Sequence, residues 1–241
     1  MRVHNELTLG IDEAGRGPIL GPMVMAAVAL KPRQAAVLTR AGVADSKRFS
    51  GDGAHAARLQ LRERILRVAD FVAVAVIDVE TIDTAVRQNG LNRLEQSEAR
   101  TLIARAPGCR RIVCDGERLF APLRAQHSHL EALNRGEEAH AAVAAASIVA
   151  KVRRDELWLK ISRRYLPRFG ALCARGGGYV NLATKTFLRA YIEAHGTLPP
   201  EARRSWPWDF ARDLLRTEFD RYRDLPASGQ LHFAALDRHP E

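Results

Sequence analysis

The feature that most constrains this chain is an apolar strand pattern that ends in acid. Leu7, Leu9 and Ile11 alternate with Thr8, Gly10 and Asp12, the two-residue period of a strand, and the run closes on Asp12-Glu13 before the turn-forming Gly15-Arg16-Gly17-Pro18. Such a strand needs a sheet to belong to. Two adjacent carboxylates at its end repel each other unless a proton or cation lies between them. The pattern recurs at Arg111 to Cys114 (RIVC), a second apolar run followed directly by Asp115 and Gly116. Ligands of α/β sheets lie beyond the C-terminal ends of strands, so Asp12 and Asp115 converge if their strands are neighbours and parallel or suitably offset. Taken singly, Asp12-Glu13 also reads as solvated surface and Asp115-Gly116 as an ordinary turn.

The rest of the chain supplies the sheet and its cover. Phe71 to Ile77 (FVAVAVI) reads as a strand, and Met23 to Leu30 has strand length, although its alanines leave a helix open. Helical patterns precede two of the strands, through Leu61, Ile65 and Val68 and through Leu91, Leu94, Leu102 and Ile103. A long helical pattern spans Ala139 to Leu166, Gly176-Gly177-Gly178 interrupts, and Lys185 to Ala194 and Ser205 to Arg223 read as further helices. The expectation is an α/β fold: a mixed sheet flanked by helices over residues 1–170, with a smaller C-terminal helical part, 171–241, packed on it. A chain of 241 residues can bury one such core.

Charge narrows the partners. The chain carries 37 Lys and Arg against 28 Asp and Glu, a net charge of +9. Residues 151–204 alone hold twelve basic and four acidic side chains, a localised field that attracts polyanions, although a solvated helix face gives the same count. The longest uncharged stretches, Gly17 to Leu30 and Ala139 to Ala150, fall short of a membrane span, and no secretory pattern is readable. Cys109, Cys114 and Cys173 are odd in number and match no zinc spacing, so the expected setting is the reducing cytoplasm, with no membrane.

Magnesium and manganese take carboxylate oxygens and keep several waters, so a metal between Asp12, Glu13 and Asp115 would stay open to a phosphate. A further candidate is Asp155, on one helical stripe with Ser147 and Lys151, although Arg153, Arg154 and Glu156 beside it also suit a surface ion pair. The rival for the N-terminal turn is a dinucleotide loop, and with it an oxidoreductase. The fit is poor, because the spacing is GxGxxxG, Pro18 and Pro22 interrupt it, and Asp12-Glu13 would set negative charge beside a pyrophosphate. A non-catalytic nucleic-acid binder explains the basic segment and leaves the acids without a use.

Five blocks in order carry a resemblance: Gly10-Ile-Asp-Glu-Ala-Gly-Arg-Gly-Pro18, Asp45-Ser46-Lys47, Asp115-Gly116, Ala144-Ala-Ala-Ser-Ile-Val-Ala-Lys-Val-Arg-Arg-Asp155 and Gly178-Tyr179. From about Leu7 to about Trp206 the chain resembles type 2 ribonuclease H, and Thr184 to Trp206 is more similar to its archaeal and eukaryotic branch than to the common bacterial one. The resemblance implies a ribonuclease H-like fold and hydrolysis of the RNA strand of RNA/DNA hybrids, including single ribonucleotides embedded in duplex DNA. It implies two Mg²⁺ or Mn²⁺ ions held by four carboxylates, Asp12, Glu13, Asp115 and Asp155, and products with 3′-hydroxyl and 5′-phosphate ends. Gly15, Arg16 and Gly17 would contact the ribonucleotide at its junction with DNA, Lys47 would bind substrate, and Tyr179 would stack at the junction. A monomer is implied. Two residues depart from the usual family pattern: Val180 replaces a proline after Gly-Tyr, and Glu137 stands where many members have an aspartate after a glycine.

Overall fold

The run Met23–Leu30 is buried at every position, as a segment without a charged side chain needs to be. It forms a strand, β2, between β1 (Thr8–Ala14) and β3 (Phe71–Ile77), antiparallel to both. On the other side of β1, β4 (Arg111–Asp115) runs parallel to it, and β5 (Leu130–Leu133) runs parallel to β4, giving the order β3-β2-β1-β4-β5. The computed structural model describes residues 6–43, 53–170 and 176–206. Asp45-Ser46-Lys47, Cys173 and the tail from 207 onward lie outside the described residues.

The helices are α1 (Pro32–Arg40), α2 (Ala54–Val68), α3 (Val79–Arg87), α4 (Leu91–Arg105), the short α5 (Glu117–Phe120) and α6 (Gly136–Ala139), the long α7 (Ala141–Phe169), and α8 (Leu182–His195). Strand alternation sorts the sheet's side chains between two layers. Val24, Ala26 and Val28 pack against Leu38, Ile65, Ala146 and Val149 on the α1, α2 and α7 side. Leu9, Ile11, Met25 and Ala27 pack against Ala99 and Leu102 of α4 and against Phe120 on the other. Gly10 shares the α7 face, where an added Cβ would lie 2.1 Å from the backbone carbon of Ala142. Only glycine lets helix and strand meet backbone to backbone here, and the same parity turns Asp12, two residues on, toward α7.

The structure decides one choice the sequence left open, trims the long helix by two residues at its start and adds a strand. Met23–Leu30 takes the strand option, because pairing on both edges satisfies a backbone that is wholly buried. The long helical pattern is one helix, α7, which starts at Ala141 because His140 before it is extended and separates it from the short α6. The strand Leu130–Leu133 lacks β-branched residues and carries no readable period, so only its pairing with β4 identifies it.

The described C-terminal residues are fastened to the sheet domain. Ile19, Leu20 and Met23 form one apolar cluster with Trp158, Tyr165, Phe187, Leu188, Ile192 and Trp206, and Leu20 bridges to Ala202. Buried Asp83 of α3 accepts from the backbone N–H groups of Arg204 (2.8 Å) and Ser205 (3.0 Å) and from the Ser205 hydroxyl. Asn181 caps α8, its side chain accepting from the Thr184 N–H at 3.0 Å. Of the helix expected over Ser205 to Arg223, residues 205 and 206 lie in a turn and the remainder falls outside the described residues.

Candidate active site

Strand register brings the first acids together. Ile11 is level with Cys114 in the parallel pair, so the residues that follow, Asp12 and Asp115, stand side by side where that pairing stops; Asp115 closes β4, while β1 runs on to Ala14 against β2. Asp12 is 5% exposed, and its Oδ1 accepts from the Glu13 N–H at 2.7 Å. Burial drives its carboxyl up to about 7 against a hydrogen bond from Ser147 of α7, and the charges of Asp115 and Glu137 push the same way. Glu13, the next residue, feels the charges of Asp12, Glu95, Arg16 and Asp115. Burial first, then Asp12 and Glu95, hold its carboxyl well above the ordinary range, with Arg16 acting against them. Asp115 Oδ1 accepts from the Gly136 N–H at 2.8 Å. The next residue, Glu137, is 3% exposed.

Asp155 is not brought to this group. Ser147 touches Asp12, and Asp155 lies eight residues further along the same helix, roughly 12 Å at 1.5 Å per residue. Its carboxylate is held instead by Lys151 Nζ at 2.7 Å and lies 3.8 Å from His55 Nδ1 of α2. The fourth acid near Asp12 is Glu137. The sequence carried a signal for it, the acid directly after Gly136 that departs from the family pattern the resemblance implies.

The Gly15–Gly17 turn stands directly after this acidic strand end. Gly15 has φ +87°, and a Cβ there would lie 3.0 Å from the Pro22 carbonyl oxygen, so the position needs glycine. The Arg16 side chain points back into the protein: Nε is 2.8 Å from Glu95 Oε1, and Nη2 donates to Asn92 Oδ1 at 2.7 Å, both on α4. What the turn offers at Arg16 is its backbone. Tyr179, 40% exposed, comes within 3.9 Å of where a Cβ on Gly17 would be. The Gly178 carbonyl ties the two loops together by accepting from Ile19 N at 2.8 Å and Leu20 N at 3.2 Å. The buried Arg154 guanidinium lies between Trp158 (5.4 Å) and the Tyr179 ring (5.6 Å) and donates to the Leu20 carbonyl at 3.3 Å. Sequence reading missed Arg154, Arg203 and Glu95 as parts of this site, since none stands out from a basic or helical background. Lys47 lies outside the described residues.

The family model described as Ribonuclease HII matches residues 9–208. The chain belongs to the ribonuclease HII family. It is 36% identical over 212 residues to ribonuclease HII of Caldivirga maquilingensis, covering 86% of this chain and 94% of that one. It is also 36% identical over 215 residues to ribonuclease HII of Haloarcula marismortui, covering 83% and 92%. Both relatives are archaeal, in keeping with the resemblance of Thr184 to Trp206. The crystal structure of ribonuclease H2 from Pyrococcus horikoshii superposes with a TM-score of 0.73 at 27% identity, covering 90% of this chain and 99% of that one. The ribonuclease HII of Archaeoglobus fulgidus, solved in complex with PCNA, gives 0.68 at 30% identity, covering 81% and 91%. As a ribonuclease HII the chain is a ribonuclease H hydrolase acting on RNA/DNA hybrids, and the oxidoreductase and non-catalytic readings fall away. No helix among the described residues is long and apolar enough to cross a membrane.

The buried thiol Cys114, pushed up to about 12 by burial and by Glu13 and Asp115, is no nucleophile at neutral pH. The donor set around Asp12 is oxygen only, which suits a hard divalent cation. Among the described residues no three His, Cys, Asp or Glu side chains close into a ready-made metal cage. Asp12 and Asp115 are each held by a backbone N–H instead. Mg²⁺ and Mn²⁺ fit such a site, because they bind through a few carboxylates and complete their shell with water and substrate phosphate.

Proposed function

We propose that this chain is an endoribonuclease that cuts the RNA strand of RNA/DNA hybrids and nicks duplex DNA at embedded ribonucleotides, leaving 3′-hydroxyl and 5′-phosphate ends. The observation that carries the reading is the meeting of the Gly15–Gly17 backbone with Tyr179 directly after the acidic end of β1. Asp12, Glu13, Asp115 and Glu137 would hold two Mg²⁺ or Mn²⁺ ions. Bound there, the cations supply activation of water and neutralisation of charge at the scissile phosphate and its leaving 3′-oxygen. The chain's own part is position. The Gly15–Gly17 backbone meets the 2′-hydroxyl, which distinguishes RNA from DNA whatever the base. Tyr179 supports the neighbouring sugar. The exposed basic side chains Lys160 and Arg163 of α7 and Arg189 of α8 supply part of the sequence-independent grip on phosphates. Arg164 is already engaged by Glu201 at 2.5 Å. Lys47 is a further proposed substrate contact, and the expected form is a cytoplasmic monomer.

The test is a labelled duplex containing one ribonucleotide, incubated with Mg²⁺ and with EDTA. Nicking at the ribonucleotide in Mg²⁺ alone is the expected result; cleavage in EDTA, or none in Mg²⁺ or Mn²⁺, would sink the reading. Tyr179→Ala is expected to slow the single-ribonucleotide substrate roughly ten- to a hundredfold. The scale is base stacking on an aromatic ring, about 1–3 kcal/mol, applied here to a sugar, with about 1.4 kcal/mol per tenfold in rate. Tyr179→Phe keeps the ring and should recover most of the activity if stacking dominates. Equal slowing of long hybrids and single-ribonucleotide duplexes together with a lowered melting temperature would reduce Tyr179 to a packing residue.

A further inference from the structure

The loop that would read the sugar is fixed by one side chain from the far end of the described chain. Arg203 is 0% exposed, and its guanidinium spends each of its nitrogens on this loop. Nη2 donates to the Gly15 carbonyl at 2.6 Å, Nη1 to the Arg16 carbonyl at 2.8 Å and Nε to the Gly21 carbonyl at 3.0 Å. Its own N–H donates to the Ile19 carbonyl at 2.9 Å, and the Trp206 ring lies 5.1 Å from its guanidinium carbon. Burial, reinforced by the neighbouring Arg154, pushes Arg203 down to about 9. Enclosing a charge is costly, and for packing alone an apolar side chain of similar volume serves as well or better. What a guanidinium adds is a rigid planar fork of donors with fixed directions.

We propose that Arg203 is a positioning residue for ribose selection: by gripping the Gly15 and Arg16 carbonyls it turns the N–H groups of Arg16 and Gly17 outward, toward the 2′-hydroxyl at the scissile junction. The geometry follows from the trans peptide, in which the C=O of one residue and the N–H of the next point in opposite directions. With two successive carbonyls drawn inward, two successive N–H groups face out as a pair of donors, the concave arrangement that receives oxygen ligands. Among the described residues neither N–H donates to a protein acceptor. The Tyr179 ring stands beside this turn, 3.9 Å from where a Cβ on Gly17 would be. The inference rests on the proposal that this loop meets the ribonucleotide.

Arg203→Lys keeps the charge and removes the fork. With Ca²⁺ replacing Mg²⁺ to suppress turnover, affinity is measured for a duplex bearing one ribonucleotide and for the same duplex in DNA throughout. The variant is expected to lose about tenfold of the preference for the ribonucleotide while its affinity for the all-DNA duplex stays within about twofold; tenfold is about 1.4 kcal/mol. Added guanidinium ion should restore part of the preference in Arg203→Ala. If both affinities fall together with the melting temperature and the preference is unchanged, Arg203 is structural and the proposal is overturned. Should neither variant fold, amide exchange in the wild-type protein decides. The Arg16 and Gly17 amides should exchange fast in the free protein and be protected by the ribonucleotide duplex more than by the all-DNA one, and equal protection overturns the proposal. A wild-type protein that neither prefers nor nicks the ribonucleotide duplex removes the functional reading itself. A wild type that prefers it, beside an Arg203→Lys that prefers it equally, removes only the role of Arg203.

Discussion

Asp12→Asn should yield a protein that is catalytically silent yet more stable at neutral pH in EDTA than the wild type. The Asp12 carboxyl rises from 3.8 to about 7 on folding, chiefly by burial. Between these values the folded state binds more protons than the unfolded one, so stability falls as pH rises through that window and levels off above it. At about 1.36 kcal/mol per pKa unit the cost of holding the carboxylate ionised is on the order of 4 kcal/mol at pH 8. Asparagine is nearly isosteric, can still accept from the Glu13 N–H, and carries no charge to bury. For a domain of this size each kcal/mol moves the melting temperature by roughly 2–4 °C, so a gain on the order of 10 °C is expected at pH 8, shrinking toward zero near pH 4. Cleavage should fall at least about a thousandfold, the equivalent of about 4 kcal/mol lost at the reacting phosphate. Melting curves in EDTA at the two pH values, beside a nicking assay in Mg²⁺, check both halves. An equal stability change at both pH values would mean that Asp12 is not the group whose ionisation strains the fold, and near-normal turnover would remove it from the metal ligands.

The second large effect concerns the choice between two acids. Glu137→Gln is expected to lower turnover at least about a hundredfold, and Asp155→Asn by less than about tenfold. Glu137 is buried, it follows the Gly136 whose N–H holds Asp115, and its charge is felt at Asp12. Asp155 is turned toward Lys151 and His55 on the α2–α7 side. The hundredfold figure corresponds to about 2.7 kcal/mol, within the several kcal/mol by which bound metal stabilises transition-state charge. Steady-state rates on the single-ribonucleotide duplex, with Mn²⁺ titrated against each variant, separate the two. A severe loss at Asp155 with a mild one at Glu137 would restore the ligand set that the sequence blocks imply.

Local pattern was enough for much of this protein. The alternation through Leu9 and Ile11, the apolar run RIVC and the acid after each are visible as strings, because strand period and turn chemistry act between near neighbours. The glycine-arginine-glycine turn and Tyr179 were legible as motifs, and the structure puts them together. The strand Leu130–Leu133 was not, since it owes its conformation to β4 rather than to its own residues.

The site divides along the same line. Sequence alone determined that Asp12 and Asp115 lie toward the C-terminal ends of strands, because each follows its own run, although β1 continues past Asp12 to Ala14. That the two stand side by side was decided by register, Ile11 against Cys114, which is a property of two strands and not of either. Helical spacing put Ser147, Lys151 and Asp155 on one stripe, and they do share it. Which point of that stripe meets β1 was decided where Gly10 admits the Ala142 backbone, and that contact places Ser147, not Asp155, at Asp12. Periodicity fixes the face of a helix but not the position along its axis that reaches a partner. Only packing fixes that position, and packing likewise chose Glu137 for the acidic cluster and delivered Arg203 from the far end of the described chain to the carbonyls of Gly15 and Arg16.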